Sequence, residues 1–137
     1  MQTDETRALI ERYYDALRAA DRDTLNEIVA PDVTWTPPAS AQVAPTDNRD
    51  DLLEFIAGPG IVETFDFSKP FNLEVRRMIV EGDTAVVQQR LTATAKATGS
   101  AYDNQYCWIY TCRDGLIVDM EEYADTLVAA RSMGWDL

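Results

Sequence analysis

Apolar positions recur at three- and four-residue spacing through the first half of the chain and at two-residue spacing through most of the second, so helices should precede strands. Leu9, Ile10, Tyr13, Tyr14 and Leu17 form one such stripe. They predict a helix over residues 4–20, with Thr3 as its cap and Asp4 and Glu5 at the positive end of its dipole. A short second helix follows Asp23, carrying Leu25, Ile28 and Val29, and Pro31 should end it. "DVTWTPP" reads as a brief extended piece stopped by Pro37 and Pro38, and residues 39–47 as a loop. Asp47 or Asn48 can cap a third helix bearing Leu52, Leu53 and Ile56, closed by Gly58-Pro59-Gly60. Residues 61–70 show no decisive period.

The segments "FNLEVRRMIVEGD", "TAVVQQRLTATAKATG", "SAYDNQYCWIYTCRDG" and "LIVDMEEYADT" predict four successive strands, with turns at "EGD", "TGS" and "RDG". They form an antiparallel meander, and "TLVAARSMGWDL" adds a short helical end. The fold class is α+β, in a single domain over residues 1–137. Strands of about 10–14 residues coil strongly. A curled sheet with helices on its concave side encloses a pocket.

Composition narrows what that pocket can do. The formal net charge is −12, a surface that repels nucleic acid and anionic membranes. No apolar run reaches membrane-spanning length, and the acidic, helix-like start lacks the basic and apolar pattern of a signal peptide, which predicts a cytoplasmic protein. The absence of histidine excludes Ser-His-Asp and Cys-His machinery and His-ligated metals. Cys107 and Cys112 lie an odd number of residues apart on one strand, which sends them to opposite faces and argues against a disulfide or zinc site. No metal and no redox cofactor are expected. Proton transfer falls to Asp, Glu, Tyr or Lys. Gly58-Pro59-Gly60 lacks the Lys-Ser/Thr of a phosphate loop, and Asp119, Glu121 and Asp125 read as a solvated acidic edge.

In the last predicted strand, Leu116, Val118, Met120, Glu122 and Ala124 alternate on one face. An acid among apolar residues must protonate or find a cation.

"ERYYDALRAADRDTLNEIVAPDVTW" together with "YCWIYTCRDGLIVDMEEYADT" resembles the SnoaL-like polyketide cyclases. These belong to the superfamily of nuclear transport factor two, ketosteroid isomerase and limonene epoxide hydrolase. The resemblance implies a cone of strongly curved antiparallel sheet wrapped around N-terminal helices, commonly dimeric. Tyr13 matches the helix tyrosine of ketosteroid isomerase, but Pro37 stands where its general base would be and Cys107 near its second aspartate. Of the Asp-Arg-Asp set of limonene epoxide hydrolase, Arg90 matches the arginine and Glu122 one acid, whereas Thr92 replaces the other. Trp35 and Pro37 stand where its water-positioning tyrosine and asparagine would be.

The resemblance also implies that three strand faces line the pocket: Arg90, Thr92 and Thr94; Asn104, Tyr106, Trp108 and Tyr110; and Met120 with Glu122. Glu122 would act as acid/base, Arg90 would orient it, and Tyr13 would polarise the substrate. Trp35, Thr92, Asn104, Tyr106, Trp108 and Met120 would contact a hydrophobic, oxygenated small molecule undergoing isomerisation, cyclisation or hydrolysis. Three plainer readings stand beside this one: a structural Glu122–Arg90 ion pair, a non-catalytic binding protein of the same fold, and an interaction module with a filled cone. A homodimer is expected through the outer sheet face, where alternation puts Ile109 and Ile117.

Overall fold

A computed structural model describes residues 1–136. Helix α1 (Thr3–Arg18) is capped by Gln2, whose backbone N–H donates to Glu5 Oε1 at 3.4 Å. Thr3 is not the cap: its Oγ1 accepts from the Gly82 N–H at 2.9 Å, while Thr6 Oγ1 donates to the Gly82 carbonyl at 2.6 Å. These two bonds pin the start of α1 to a hairpin turn far along the chain. Helix α2 (Arg22–Ile28) begins at Asp21, which accepts from the Thr24 N–H at 3.1 Å. Strand β1 (Val29–Thr36) follows without a loop. Pro31 therefore lies within a strand rather than ending a helix. It sits where the register slips, on an edge strand where a missing donor is tolerated.

Helix α3 (Arg49–Ala57) is capped by Asn48, which accepts from the Asp51 N–H at 2.9 Å. Gly58 closes it, and Pro59 opens α4 (Pro59–Thr64) at the first helical position, where its missing N–H costs nothing. A Cβ at Gly60 would lie 2.8 Å from Phe55 Cα, so the glycine permits the tight approach of the two helices. Strands β2 (Asn72–Glu81), β3 (Thr84–Thr94), β4 (Ala101–Arg113) and β5 (Leu116–Ala124) then form the meander, and α5 (Thr126–Met133) follows. The β4–β5 turn holds Asp114 at φ 52° and Gly115 at φ 78°, the two positive angles a tight two-residue hairpin needs.

The sheet order is β1-β5-β4-β3-β2. The four meander strands pair antiparallel, as their turns require, and β1 joins β5 in parallel, so the sheet is mixed. It is an open, five-stranded α+β arrangement with the helices on one face.

Two parities differ from the sequence expectation. In β5, Thr111 faces Asp119 but Cys112 faces Ile117, which leaves Val118 as the extra residue of a bulge. Ile117, Met120, Glu122 and Ala124 consequently share the inner side, while Leu116 and Val118 line a shallow outer groove. Ile117, expected outside, is 0% exposed. In β3 the inward residues are Ala85, Val87, Gln89 and Leu91, which places Arg90 and Thr92 on the outer face.

The main core gathers Ile10, Leu25, Val33, Leu53 and Ile117 beneath α1–α3, and a smaller cluster forms around Phe65, Leu91, Tyr102 and Ala129. Leu73 and Tyr106 touch both. Cys112 is buried and Cys107 half-buried, and both are free thiols. Burial pushes the Cys112 thiol up to about 11.

Candidate active site

The sheet's curvature leaves a cavity of about 430 Å³ between the two clusters. This lies within the roughly 300–1,000 Å³ of small-molecule sites. Tyr13 and Leu17 of α1 and Trp35 of β1 form one wall; Gln89 and Leu91 of β3 with Tyr102, Tyr106, Trp108 and Tyr110 of β4 form the floor. Glu122 and Ala124 of β5 complete it, and Ala129 and Met133 of α5 cover one end together with Trp135.

Glu122 stands opposite Trp108 in the β4–β5 ladder. Its Oε1 accepts a 3.1 Å hydrogen bond from Trp35 Nε1, the one side-chain partner it has among the described residues. Burial raises its pKa from 4.5 to about 7, partly offset by that indole donor. The acid expected on an apolar face is therefore in the cavity, but without the cation expected beside it. Arg90 donates from Nε and Nη2 to Asp103 at 2.9 and 2.7 Å on the outer face. Neither a Glu122–Arg90 ion pair nor an orienting role for Arg90 at Glu122 fits this geometry, because β3 presents Gln89 and Leu91 inward instead. Thr92, paired with Asp103 in the ladder, shares the outward side.

Tyr13 is fully inside. Its ring meets Tyr14 and Tyr110 edge-on at 5.4 and 5.5 Å, and its hydroxyl reaches the weak acceptor Met120 Sδ at 3.9 Å. Burial, then the neighbouring Tyr14 and Glu122 charges, hold its phenol well above the ordinary range. It is thus a neutral phenol, with a hydrogen bond to Tyr110 only partly offsetting the effect of burial. Met120 lies behind this tyrosine, buried in the core. Tyr14 shares a 2.7 Å hydrogen bond with Tyr110 and donates to Gln89 Oε1 at 2.9 Å.

Asn104 also stands behind the wall. Its Nδ2 donates to the Tyr102 hydroxyl at 2.8 Å and to the Asp125 carbonyl at 3.1 Å. Tyr102 in turn hydrogen-bonds Tyr106. Both phenols are raised, first by burial. Trp108 stacks on Tyr110 with rings 5.7 Å apart, and its buried Nε1 has no hydrogen-bond partner among the described residues. Trp35, Tyr106, Trp108, Tyr13 and Glu122 thus meet at one cavity, with Met120 and Asn104 supporting them from behind.

Gln89 and Tyr102 were not among the residues singled out from sequence. The signal was present in β3: Ala85, Val87, Gln89 and Leu91 are the more apolar alternation, against Val86, Gln88, Arg90 and Thr92. Among the described residues no group of three or more His, Cys, Asp or Glu side chains is placed to hold a metal ion. No described helix is long and apolar enough to cross a membrane.

An antiparallel meander with a β1 edge, wrapped on helices around a cavity, is the fold that the resemblance implies. The SnoaL-like domain profile matches residues 10–120, and the chain belongs to that family. The match stops two residues short of Glu122. Among solved structures, an NTF2-like protein from Burkholderia xenovorans is 19% identical with a TM-score of 0.81, over 97% of this chain and 98% of that one. A protein from a Jannaschia species, provisionally named a SnoaL-like polyketide cyclase, is 21% identical with a TM-score of 0.80, over 98% and 95%. A protein from Kribbella flavida, provisionally named a ketosteroid isomerase, is 22% identical with a TM-score of 0.70, over 90% and 79%. At such identities the likeness concerns the fold. No curated protein matches the chain.

Proposed function

We propose that the chain is a cofactor-independent enzyme that moves a proton on a hydrophobic, oxygenated small molecule, with Glu122 as the proton carrier. The observation that carries this reading is a carboxyl poised near neutral pH in an apolar, aromatic cavity, with one indole donor and no cation beside it among the described residues. A group with a pKa of about 7 both takes and gives a proton at physiological pH. Tyr13, a neutral phenol on the cavity wall, would polarise a substrate carbonyl. Isomerisation or cyclisation through an enol fits one acid/base and one donor. Hydrolysis fits less well, since among the described residues the second acid, Glu63, is exposed at the cavity's edge rather than beside Glu122. The names of the Jannaschia and Kribbella proteins point to the same chemistry.

The test needs no natural substrate. A hydrophobic cyclic ketone such as 2-tetralone exchanges its α-protons slowly in D2O, and NMR reports the rate. The wild type should accelerate exchange, and Glu122→Gln should lose about 100-fold or more of that acceleration. A ketone that binds without accelerated exchange favours the second reading, a binding protein of the same fold, which the lone carboxyl also supports. We further propose a homodimer through the outer sheet face, where Ile79 and Tyr123 are each 56% exposed.

A further inference from the structure

We propose that the ligand of this cavity carries a positive charge: a hydrophobic organic cation, such as a protonated tertiary or a quaternary amine, held against aromatic faces with Glu122 as its counter-ion. The inference rests on reading the cavity as a small-molecule site and adds the charge class of what enters it.

Three features converge on it. First, ten of the lining residues are aromatic, and Trp35, Tyr13, Tyr106, Trp108 and Tyr110 surround the region of Glu122. Aromatic faces attract cations, most strongly when both are removed from water. Second, among the described residues no lysine or arginine lines the cavity, whereas Glu122 stands inside it and the exposed Glu63 at its edge. Arg90 is committed to Asp103 outside, and Arg18, 5.9 Å from the Tyr14 ring, donates its Nε to the Leu73 carbonyl. A carboxylate or phosphate ligand would find two acids and no basic partner. Third, Glu122 is half-buried and has a single neutral donor among the described residues. A carboxylate drawn out of water without a cation is unfavourable, and a cationic ligand supplies what the cavity lining omits. The groups facing Glu122 across the cavity are Tyr13 from α1, Trp35 from β1 and the tyrosines of β4. All of these are neutral, so Glu122 alone sets the local charge.

The experiment compares three probes built on one 2-(2-naphthyl)ethyl group: a trimethylammonium, its uncharged tert-butyl isostere, and a carboxylate, titrated by calorimetry at pH 5.5 and 8. The quaternary cation does not titrate, so any pH effect reports the protein. At pH 8 the cation should bind at least tenfold tighter than the isostere, with the carboxylate weakest. The preference should shrink at pH 5.5, where Glu122 is protonated. Glu122→Gln should abolish the pH effect and most of the preference. Trp35→Phe keeps an aromatic face but removes the donor to Glu122, and should move the onset of the preference to higher pH. An isostere that binds as tightly as the cation at pH 8, or a pH effect that survives in Glu122→Gln, overturns the cation inference while the small-molecule reading stands. If no probe binds below millimolar, both fall together.

Discussion

Trp35 Nε1 donates to Glu122 Oε1 at 3.1 Å, from an edge strand to its parallel neighbour. The donor and the acid are 87 residues apart in sequence. They meet because β1 pairs Trp35 with Met120 and Thr36 with Glu121, which leaves the indole one step from Glu122 on the inner face. The bond favours the carboxylate, but burial outweighs it. Removing the donor in Trp35→Phe should therefore raise the Glu122 pKa above about 7. In 13C NMR of Glu-labelled protein, the carboxyl titration midpoint should move upward in the variant. An unchanged midpoint would show that the indole does not act on this acid.

The raised pKa sets the pH dependence of stability. Between about 4.5 and 7 the folded chain keeps a proton on Glu122 that the unfolded chain has lost. Stability from this group is therefore highest below that window and falls as pH rises through it, levelling off above it. The shift corresponds to about 3 kcal/mol at full ionisation. Glu122→Gln removes the effect and keeps an acceptor for Trp35. Its unfolding midpoint should match that of the wild type near pH 4.5 and exceed it by a growing margin up to pH 8. A mutant less stable than wild type at pH 8 would mean that Glu122 has a cationic partner.

Arg90 and Glu122 should act independently. The guanidinium serves Asp103 outside and the carboxyl serves Trp35 inside. Residues without shared partners contribute additively. The midpoint shift of Arg90→Met combined with Glu122→Gln should equal the sum of the single shifts at each pH. Relief in the double mutant would restore the ion pair that the structure separates.

Elements with strong local signals were legible in the sequence. The stripe from Leu9 to Leu17, the Asn48 cap and the three hairpin turns each depend on neighbouring residues only, and each is where pattern places it. Alternation groups Asn104, Tyr106, Trp108 and Tyr110 on one face of β4, and only the resemblance suggested that this face, with Trp35 and Glu122, lines a cavity. Three things escaped because they depend on distant strands. The bulge at Val118 flips parity in the middle of β5 and turns Ile117 inward. The face of β3 is set by which side α1 and α4 cover, so resemblance at Arg90 could not replace the apolar count of the alternate face. The cap of α1 depends on Gly82, which occupies Thr3 from another element.

The outer sheet face is the proposed dimer surface. Register aligns Ile79 with Val86 and Val86 with Ile109, while Tyr123 stands opposite Cys107. Sedimentation equilibrium at micromolar concentration should give twice 15.4 kDa. Ile79→Lys combined with Tyr123→Lys places uncompensated charge in that surface and should yield the monomer mass without loss of fold. A wild-type monomer would leave the exposed patch without this partner.

Asn104 provides a test of how the cavity is kept covered. Its Nδ2 bridges the Tyr102 hydroxyl and the carbonyl of Asp125, the residue that caps α5 through the Val128 N–H at 3.2 Å. One amide therefore fixes both the Tyr102–Tyr106 pair and the start of the helix that covers the pocket. Asn104→Leu keeps the volume but deletes both donations, leaving a part-buried carbonyl and a phenol each short of a partner. The loss should be about 1–3 kcal/mol of stability. The effect should also be local: amide exchange across Thr126–Met133 should speed up more than exchange in β3 or α1, because α5 loses its tether while the main core around Ile10 and Leu25 keeps its packing. Ligand affinity should fall with it, as a looser cover admits water to the aromatic wall. Uniform acceleration over the whole chain would instead assign Asn104 to global stability and remove α5 from the account of the site.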